Sequence, residues 1–339
     1  MNNEQLSLTA RGIAAIQSPD GAIPWGPGRH VDTWNHVEAA MGLDATGFHH
    51  QARSAYEWLR LVQTADGSWP AAVDRNGVVD ASVDANFCAY VATGVWHHFL
   101  STSDDGWLAS MWPCVESAID TVLDMQLATG AVAWARDASG RLWPDALLTS
   151  TSCIHLSLWC ALSIAARMEV TRPDWELSLS DMRRAIERAD AFMRKDRYAM
   201  DSYYPVLGLA VRGDIAADDL ETCWRRFVVE GRGALCTDDR TWVTTGETCE
   251  LGLAYLGIGE VRPAATLFEW IQHLRDTDGL YWTGANHPGT EIWPDEKTTW
   301  SAGSVLLLAD ALAGGVTRGL FDGSTLAPVA PMDASAIEP

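Results

Sequence analysis

Two kinds of helical pattern alternate along the chain. One kind is amphipathic, as in residues 174–195, where apolar positions recur with helical spacing and charged residues occupy the other face. This pattern predicts a helix with one buried side. The other kind is apolar around most of its circumference, which predicts a helix buried on all sides. Six segments have the second pattern, at residues 31–43, 83–96, 147–162, 200–211, 244–257 and 296–312.

The alternation predicts about twelve helices in which an inner ring is wrapped by an outer ring. A hairpin of one apolar and one amphipathic helix cannot bury its own apolar face, so it must pack on its neighbours. A closed ring of six hairpins solves this without end caps. We therefore expect an all-α, single-domain (α/α)6 toroid over residues 1–316. Residues 317–339 end in low-complexity sequence, and we expect a disordered tail there.

A turn motif follows several of the amphipathic segments. It consists of a Gln, an Asp-Gly or Thr-Gly pair and a Trp, and it occurs at residues 17–25 (QSPDGAIPW), 63–69 (QTADGSW), 126–134 (QLATGAVAW) and, more loosely, 273–282 (HLRDTDGLYW). Glycine adopts positive φ at no steric cost, so the pair ends the preceding helix. We expect the Trp after the turn to pack back on the helix.

These turns, preceded by an aromatic–aliphatic helix as in AYEWLRLVQTADGSW at residues 55–69, resemble the QW motifs of the terpenoid cyclase and protein prenyltransferase superfamily. The resemblance extends from residue 13 to about residue 312. It implies the same toroid and an isoprenoid-type substrate, with aromatic faces that stabilise carbocations. The catalytic motifs differ, however. Where those cyclases carry DxDD, this chain has Val83, Asp84, Ala85 and Asn86, and its sequence contains neither DDxxD nor the D-x-C of a prenyltransferase zinc site.

Polar residues on the apolar segments gather at their first turns. All inner helices of such a ring run the same way, so these turns should meet at one rim, together with several of the seventeen tryptophans. The catalytic candidates are Asp32, Glu38, Asp84, Glu247 and Glu250. The substrate-binding candidates are Trp34, Asn35, His36, Trp69, Asn86, Asp201, Tyr203, Tyr204, Trp242, Trp282, Trp293 and Trp300.

Helix capping is the alternative role for each of these polar residues. It suits Asp32, whereas Glu38 and Glu250 lie about a turn further into apolar helices. A buried carboxylate is costly unless it is paired. We expect Glu250 to be buried and its pKa to be raised by desolvation.

Two functional hypotheses from different classes follow. The first, ranked slightly ahead because the repeat covers most of the chain, is an isoprenoid cyclase-like or prenyltransferase-like enzyme. In it Asp84 is the acid, and Asn86 and His36 tune it. The second is a carbohydrate-active enzyme in which two rim carboxylates, such as Asp84 with Glu247 or Glu250, act as acid and base. A weaker alternative is a non-catalytic toroid that binds a small ligand. Cavity polarity distinguishes them, since a sugar site should be rich in polar groups.

Composition limits the partners. The net charge of −21 disfavours nucleic acid and anionic membrane surfaces. The N-terminus has no signal-peptide pattern, and we expect no transmembrane segment and a cytoplasmic location. The seven cysteines lack metal-type spacing. We expect a small-molecule substrate, an isoprenoid or a carbohydrate, and neither a cofactor nor a tightly bound metal.

Elemental analysis of the purified protein tests the last expectation. Because His30, Asp32, His36 and Glu38 match no common zinc spacing, we predict much less than one zinc ion per chain. A content near one zinc per chain would revive prenyltransferase chemistry.

Overall fold

The structure, a computed structural model, describes residues 1–188 and 190–328. Its helices are α1 (Asn3–Ile16), α2 (Thr33–Asp44), α3 (His49–Val62), α4 (Ala85–Thr102), α5 (Asp105–Leu123), α6 (Leu148–Arg167), α7 (Pro173–Arg188), α8 (Met200–Leu207), α9 (Gly213–Phe227), α10 (Thr245–Gly257), α11 (Val261–Trp270), α12 (Thr299–Leu312) and α13 (Val316–Asp322), with one 3₁₀ turn at Ile271–Leu274. The first twelve alternate between outer and inner positions, as the sequence predicts.

The inner ring is closed. Helices α2, α4, α6, α8, α10 and α12 pack each on the next, and α12 returns to α2. Outer helices cover them, with α3 on α2 and α4, α7 on α6, and α11 on α10 and α12. The inner helices are buried on nearly all sides, whereas an outer helix such as α3 buries only one face. The chain is thus an (α/α)6 toroid, and the predicted fold class is confirmed.

Short antiparallel strands lie within the loops that precede the inner helices. They are β1 (Ala72–Asp74), β2 (Gly77–Asp80), β3 (Val83–Asp84), β4 (Ala135–Arg136), β5 (Val228–Val229), β6 (Gly233–Ala234), β7 (Trp242–Thr244) and β8 (Gly284–Asn286). β1 pairs with β2, β3 with β4, β5 with β6 and β7 with β8. Because β3 leads into α4 and β7 into α10, these ladders hold the chain at the rim where inner helices begin.

Helix α6 is long and apolar enough to cross a bilayer, as is the α12–α13 pair taken together across its 90° bend. However, 83% of the apolar window of α6 is buried inside the protein. Its place in the inner ring accounts for this composition.

The C-terminal prediction is wrong over part of its range. Residues 316–322 form α13, which packs against α10 and α12, and Leu320 and Phe321 are buried. Beyond α13, the indole of Trp159 donates to the Ala327 carbonyl, and the Ala327 N–H donates to Ser163. The segment from residue 317 to residue 328 is therefore part of the packed structure. The rest of the predicted tail, residues 329–339, lies outside the described residues.

The glutamines of the repeated turn join neighbouring outer helices. Each side-chain amide donates to the carbonyl of its own turn glycine and to a carbonyl of the next outer helix. Gln17 donates to Gly21 and Gln51, Gln63 to Gly67 and Cys114, and Gln126 to Gly130 and Ser178, with nitrogen–oxygen distances of 2.8–3.1 Å. In the looser fourth turn, Thr9 of α1 binds the Gly279 carbonyl instead. The motif therefore has a structural role: it links neighbouring outer helices and takes no part in catalysis.

We predict that replacing Gly130 with alanine destabilises the protein by about 3 kcal/mol. Gly130 has a φ of +89°, and a Cβ there would lie 2.4 Å from the Asp181 carbonyl oxygen. Gly140 is the matched control, because it has a φ of +83° and nothing within 4 Å of its missing Cβ. Gly140→Ala should cost only about 1 kcal/mol. Equal losses in urea unfolding of the two variants would contradict the proposed close packing.

Candidate active site

The first turns of the inner helices meet at one rim, and a mouth cavity of about 390 Å³ opens there between α2 and α4. Its walls come from the starts of α2 and α4 and from the loops beside them. The lining residues used below are Trp25, His30, Asp32, Asn35, Asp84, Trp134 and Trp143. The cavity combines carboxylates, an amide and indoles, a mixture that suits a hydroxyl-rich ligand.

Asp32 caps α2 at the edge of this cavity. One carboxylate oxygen accepts from the Asn35 N–H at 2.9 Å, and both oxygens accept from the Asn35 side-chain amide at 2.7 Å. The imidazole of His30 approaches to 3.7 Å. Burial raises the pKa of Asp32 more than these contacts lower it. Asp32 is thus both a cap and a buried carboxylate with its proton affinity increased.

Asp84 caps α4 and anchors an aromatic wall. Its Oδ1 accepts from the N–H groups of Asn86 and Phe87, and its Oδ2 accepts from the indole of Trp134 at 2.8 Å. Burial raises the pKa of Asp84 to about 6, against the lowering effect of these donors. Trp134 in turn meets Trp143 edge to face at 4.9 Å. Asp84 therefore fixes the ring of Trp134 in the cavity wall.

Glu247 lies in the first turn of α10, the helix opposite α4 in the ring. The residue is only 4% exposed, and its Oε2 has no hydrogen-bond partner among the described residues. An unpaired buried carboxylate oxygen costs free energy, so it calls for a ligand or a catalytic role. Of the five acids predicted from sequence, Glu247 has the strongest structural indication of function.

An aromatic cluster joins the starts of α2 and α12. Trp300 lies 6.3 Å from Trp25 and 5.6 Å from Trp34, and Trp34 stacks on Tyr90 at 5.2 Å. A Cβ on Gly246 would lie 2.3 Å from the Trp300 ring, so the first turn of α10 packs directly against this cluster. The cluster therefore lies at the rim, in contact with the first turns of α2, α10 and α12.

Several polar atoms near the rim are buried and have no partner among the residues that the structure describes. They are Asn35 Oδ1, Asn86 Oδ1, Trp25 Nε1, Trp300 Nε1 and Glu247 Oε2. Such atoms are rare in folded proteins, because each loses its hydrogen bonds to water. A ligand with many hydroxyl groups would satisfy donors and acceptors alike.

Glu38 and Glu250 form a separate layer beneath the rim. The Tyr90 hydroxyl donates to Glu38, and the hydroxyls of Tyr203 and Tyr204 donate to the two oxygens of Glu250. Glu38, Tyr90, Tyr204 and Glu250 border a cavity of about 10 Å³, room for about one water molecule. Burial raises the pKa of Glu38 to about 7, and burial together with the charge of Glu38 raises that of Glu250 well above its usual range. Glu250 is thus buried as predicted.

This layer changes the roles inferred for its members. Tyr203 and Tyr204 hold Glu250, and Glu250 has both oxygens occupied, so none of the three is free to act on a substrate in this arrangement. We assign Glu38 and Glu250 to the packing of the ring and not to the site.

His36 and Trp69 both bind backbone carbonyls, which gives His36 a structural role, while the ring of Trp69 also lines a groove between the end of α3 and the β1–β2 hairpin. The ring of His36 is fully buried, with one nitrogen accepting from the Ile23 N–H at 2.9 Å and the other 3.0 Å from the Ala55 carbonyl. Burial lowers its pKa to about 4. The indole of Trp69 donates to the Leu59 carbonyl. His36 thus links three backbone segments and does not tune Asp84.

The remaining predicted residues lie on the opposite part of the rim. Asp201 accepts from the Thr149 hydroxyl at 2.6 Å. The indole of Trp242 donates to the Trp293 carbonyl, and these two rings border a second rim cavity of about 550 Å³. The ring of Trp282 lies under the ammonium of Lys297 at 4.9 Å. The sequence predicts Trp134 and Trp143 at the rim, Trp134 from its place at the end of the third repeated turn, but neither they nor His30 were among the candidate substrate-binding residues.

Among the described residues, no group of three or more His, Cys, Asp or Glu side chains is arranged to hold a metal ion.

We predict that Glu38→Gln changes how stability depends on pH. A carboxyl whose folded pKa is raised from 4.5 to about 7 stabilises the protein below pH 4.5 and loses that contribution as pH rises towards 7. The unfolding free energy of Glu38→Gln minus that of the wild type should therefore rise by up to about 3 kcal/mol over this interval. Glu4→Gln, at an exposed position, should show no such rise. A flat difference for Glu38→Gln in denaturant titrations would contradict the burial effect.

Comparison with known proteins places this geometry in a family. No family model matches the chain. The MMP endo-(1,4)-3-O-methyl-alpha-D-mannosidase of Mycolicibacterium hassiacum is 49% identical over 324 residues, which cover 94% of this chain and 90% of the relative. A glycosidase solved in complex with glucose has a TM-score of 0.73 at 17% identity, and covers 94% of this chain and 97% of its own.

A second solved structure, the GH63 mannosylglycerate hydrolase from Thermus thermophilus, has a TM-score of 0.72 at 11% identity, with 89% of this chain and 99% of that chain covered. At such low identities the two structures establish the fold alone.

The relationship overturns the cyclase interpretation. The terpenoid cyclase or prenyltransferase membership, the isoprenoid substrate and the acid role of Asp84 in such chemistry were wrong, because the mannosidase matches nearly the whole chain at 49% identity. The QW-like turns gave the wrong family because their glutamines have a structural role, which is to join neighbouring outer helices. The chain is an enzyme, and it belongs to the family of the MMP endo-(1,4)-3-O-methyl-alpha-D-mannosidase.

Proposed function

We propose that this protein is an endo-acting glycoside hydrolase that cleaves (1,4) links between 3-O-methyl-α-D-mannose units. The first support for this proposal is the activity stated in the name of the relative that is 49% identical. The observation that carries the proposal within this chain is the unpaired Oε2 of the buried Glu247, at a rim that also holds Asp32. The substrate is a neutral carbohydrate, and the polar, tryptophan-walled mouth suits it.

Hydrolysis of a glycosidic bond needs two carboxyl groups. One protonates the departing oxygen, and the other activates water or attacks the anomeric carbon. We assign these tasks to Glu247 and Asp32. Helices α10 and α2 are separated in the ring by α12 alone, so the first turns that carry Glu247 and Asp32 lie on the same half of the rim.

Asp32 and Asp84 both have their two oxygens occupied, but by different partners. All the donors to Asp32 come from Asn35, whereas Asp84 Oδ2 accepts from the Trp134 indole of the cavity wall and Oδ1 from two backbone N–H groups. The function of Asp84 in this proposal is to position Trp134, whose face can stack on a sugar ring. The unpaired Asn35 and Asn86 carbonyl oxygens and the Trp25 and Trp300 indoles are placed to bind hydroxyl and ether oxygens.

Substitution of the two carboxylates tests the assignment. We expect Glu247→Gln and Asp32→Asn each to lower kcat on a 3-O-methylmannose oligosaccharide by about 10²-fold or more, because each removes a proton-transfer or nucleophilic group without changing shape. Asp84→Asn should act mainly on KM, because it disturbs the support of Trp134.

The matched control is Glu296→Gln, since Glu296 also lies at the rim but is partly exposed and 3.8 Å from Arg29. It should retain near-normal kcat. Normal turnover in Glu247→Gln, with an unchanged melting temperature, would refute the role of Glu247. Failure of the wild type to release any reducing ends from the oligosaccharide would refute the proposed function itself.

A further inference from the structure

A further cavity, different from the two at the rim, lies on the other side of the β1–β2 hairpin from the mouth. It is a groove of about 750 Å³, which is within the range of ligand sites. Its walls are the end of α1 with the segment that leads to α2, the end of α3 with the loop that follows it, and the hairpin itself. None of the residues assigned to catalysis above lines it.

The groove and the mouth share a wall. Along the segment before α2, His30 and Asp32 line the mouth, whereas Arg29, Val31 and Thr33 line the groove. Extended backbone alternates its side chains in this way. The wall is held to the hairpin by two backbone hydrogen bonds between Val31 and Val73, of 2.7 and 2.9 Å. A linear ligand that extends from the mouth therefore reaches the groove by crossing this one wall.

The lining of the groove is mixed in character. Val73 and Val78 form a cross-strand pair on the groove side of the hairpin, and Val62 and Pro70 extend the apolar surface. Val78 is 58% exposed, so its side chain is accessible to a ligand in the groove. Asp74 and Asn76 add hydrogen-bonding groups to the same surface.

This mixture fits a methylated sugar polymer. Methyl ethers make one part of each sugar apolar, while the remaining hydroxyls need hydrogen-bond partners. Acidic and basic residues both occur in the groove, with Asp20 and Asp74 beside Arg29 and Arg75. Such balance favours a neutral chain over a polyanion or a polycation.

We infer that this groove binds the part of a 3-O-methylated mannan that extends beyond the bond being cleaved, and so sets a preference for long chains. The inference rests on the proposed function, because an endo-acting enzyme must accommodate sugar units on both sides of the bond.

Two neighbouring valines of β2 provide a matched pair for the test. Val78 lines the groove, whereas Val79 is equally exposed, at 60%, and is absent from the lining. Val78→Glu and Val79→Glu each add one charge to an exposed strand position, so similar melting temperatures are expected. Kinetics are measured on 3-O-methylmannose oligosaccharides of increasing length, from the shortest that is cleaved, and sedimentation gives the oligomeric state of each variant.

We expect Val78→Glu to raise KM about 10-fold on the longest oligosaccharide, with kcat unchanged and with no effect on the shortest one. Val79→Glu should match the wild type on both. Equal behaviour of the two variants, or an equal KM rise at every length, would overturn the groove assignment while leaving the hydrolase proposal intact. A shift from dimer to monomer in Val78→Glu alone would also overturn it, since the face would then belong to a second copy of the chain. A wild type that cleaves no oligosaccharide would instead remove the proposed function and the groove's role with it.

Discussion

Closure of the inner ring is the constraint from which the site follows. Six helices that are apolar on nearly all sides can be buried only if each has inner neighbours on both flanks and an outer helix behind it. The contacts from α2 round to α12 and back to α2 meet this requirement. Because each inner helix begins on the same side, six helix N-termini face one rim, where N–H groups and helix dipoles favour acidic side chains. Asp32, Asp84 and Glu247 all occupy such first turns.

Depth along the inner helices separates structural acids from candidate catalytic ones. About one turn below the rim, Glu38 and Glu250 have tyrosine hydroxyls as partners, and burial raises the pKa of both carboxyls. At the rim, Glu247 keeps an oxygen without a partner among the described residues. The two layers carry the same residue type but face different environments. Burial is similar for Glu247, Glu38 and Glu250, and hydrogen bonding is what distinguishes Glu247 from the other two.

The sequence predicts the elements and the ring well, because the contrast between amphipathic and fully apolar helices is a direct consequence of burial. It also predicts that acids and tryptophans meet at the rim. It could not show that His36 faces backbone groups instead of the mouth, since helical spacing does not identify the partner of a buried polar group. The turn motif was over-interpreted because its sequence likewise does not show which groups its glutamines bind. Its glutamines bind backbone carbonyls, an interaction that any ring of outer helices can use. Helix α13 was missed because its apolar residues are few and follow a glycine pair.

The most direct test of this account is a crystal structure of the Glu247→Gln variant bound to a 3-O-methylmannose oligosaccharide. The account predicts one glycosidic oxygen at the mouth, flanked by residue 247 and Asp32, with a sugar ring on the face of Trp134. An oligosaccharide bound elsewhere, with residue 247 and Asp32 both out of contact with it, would contradict the account.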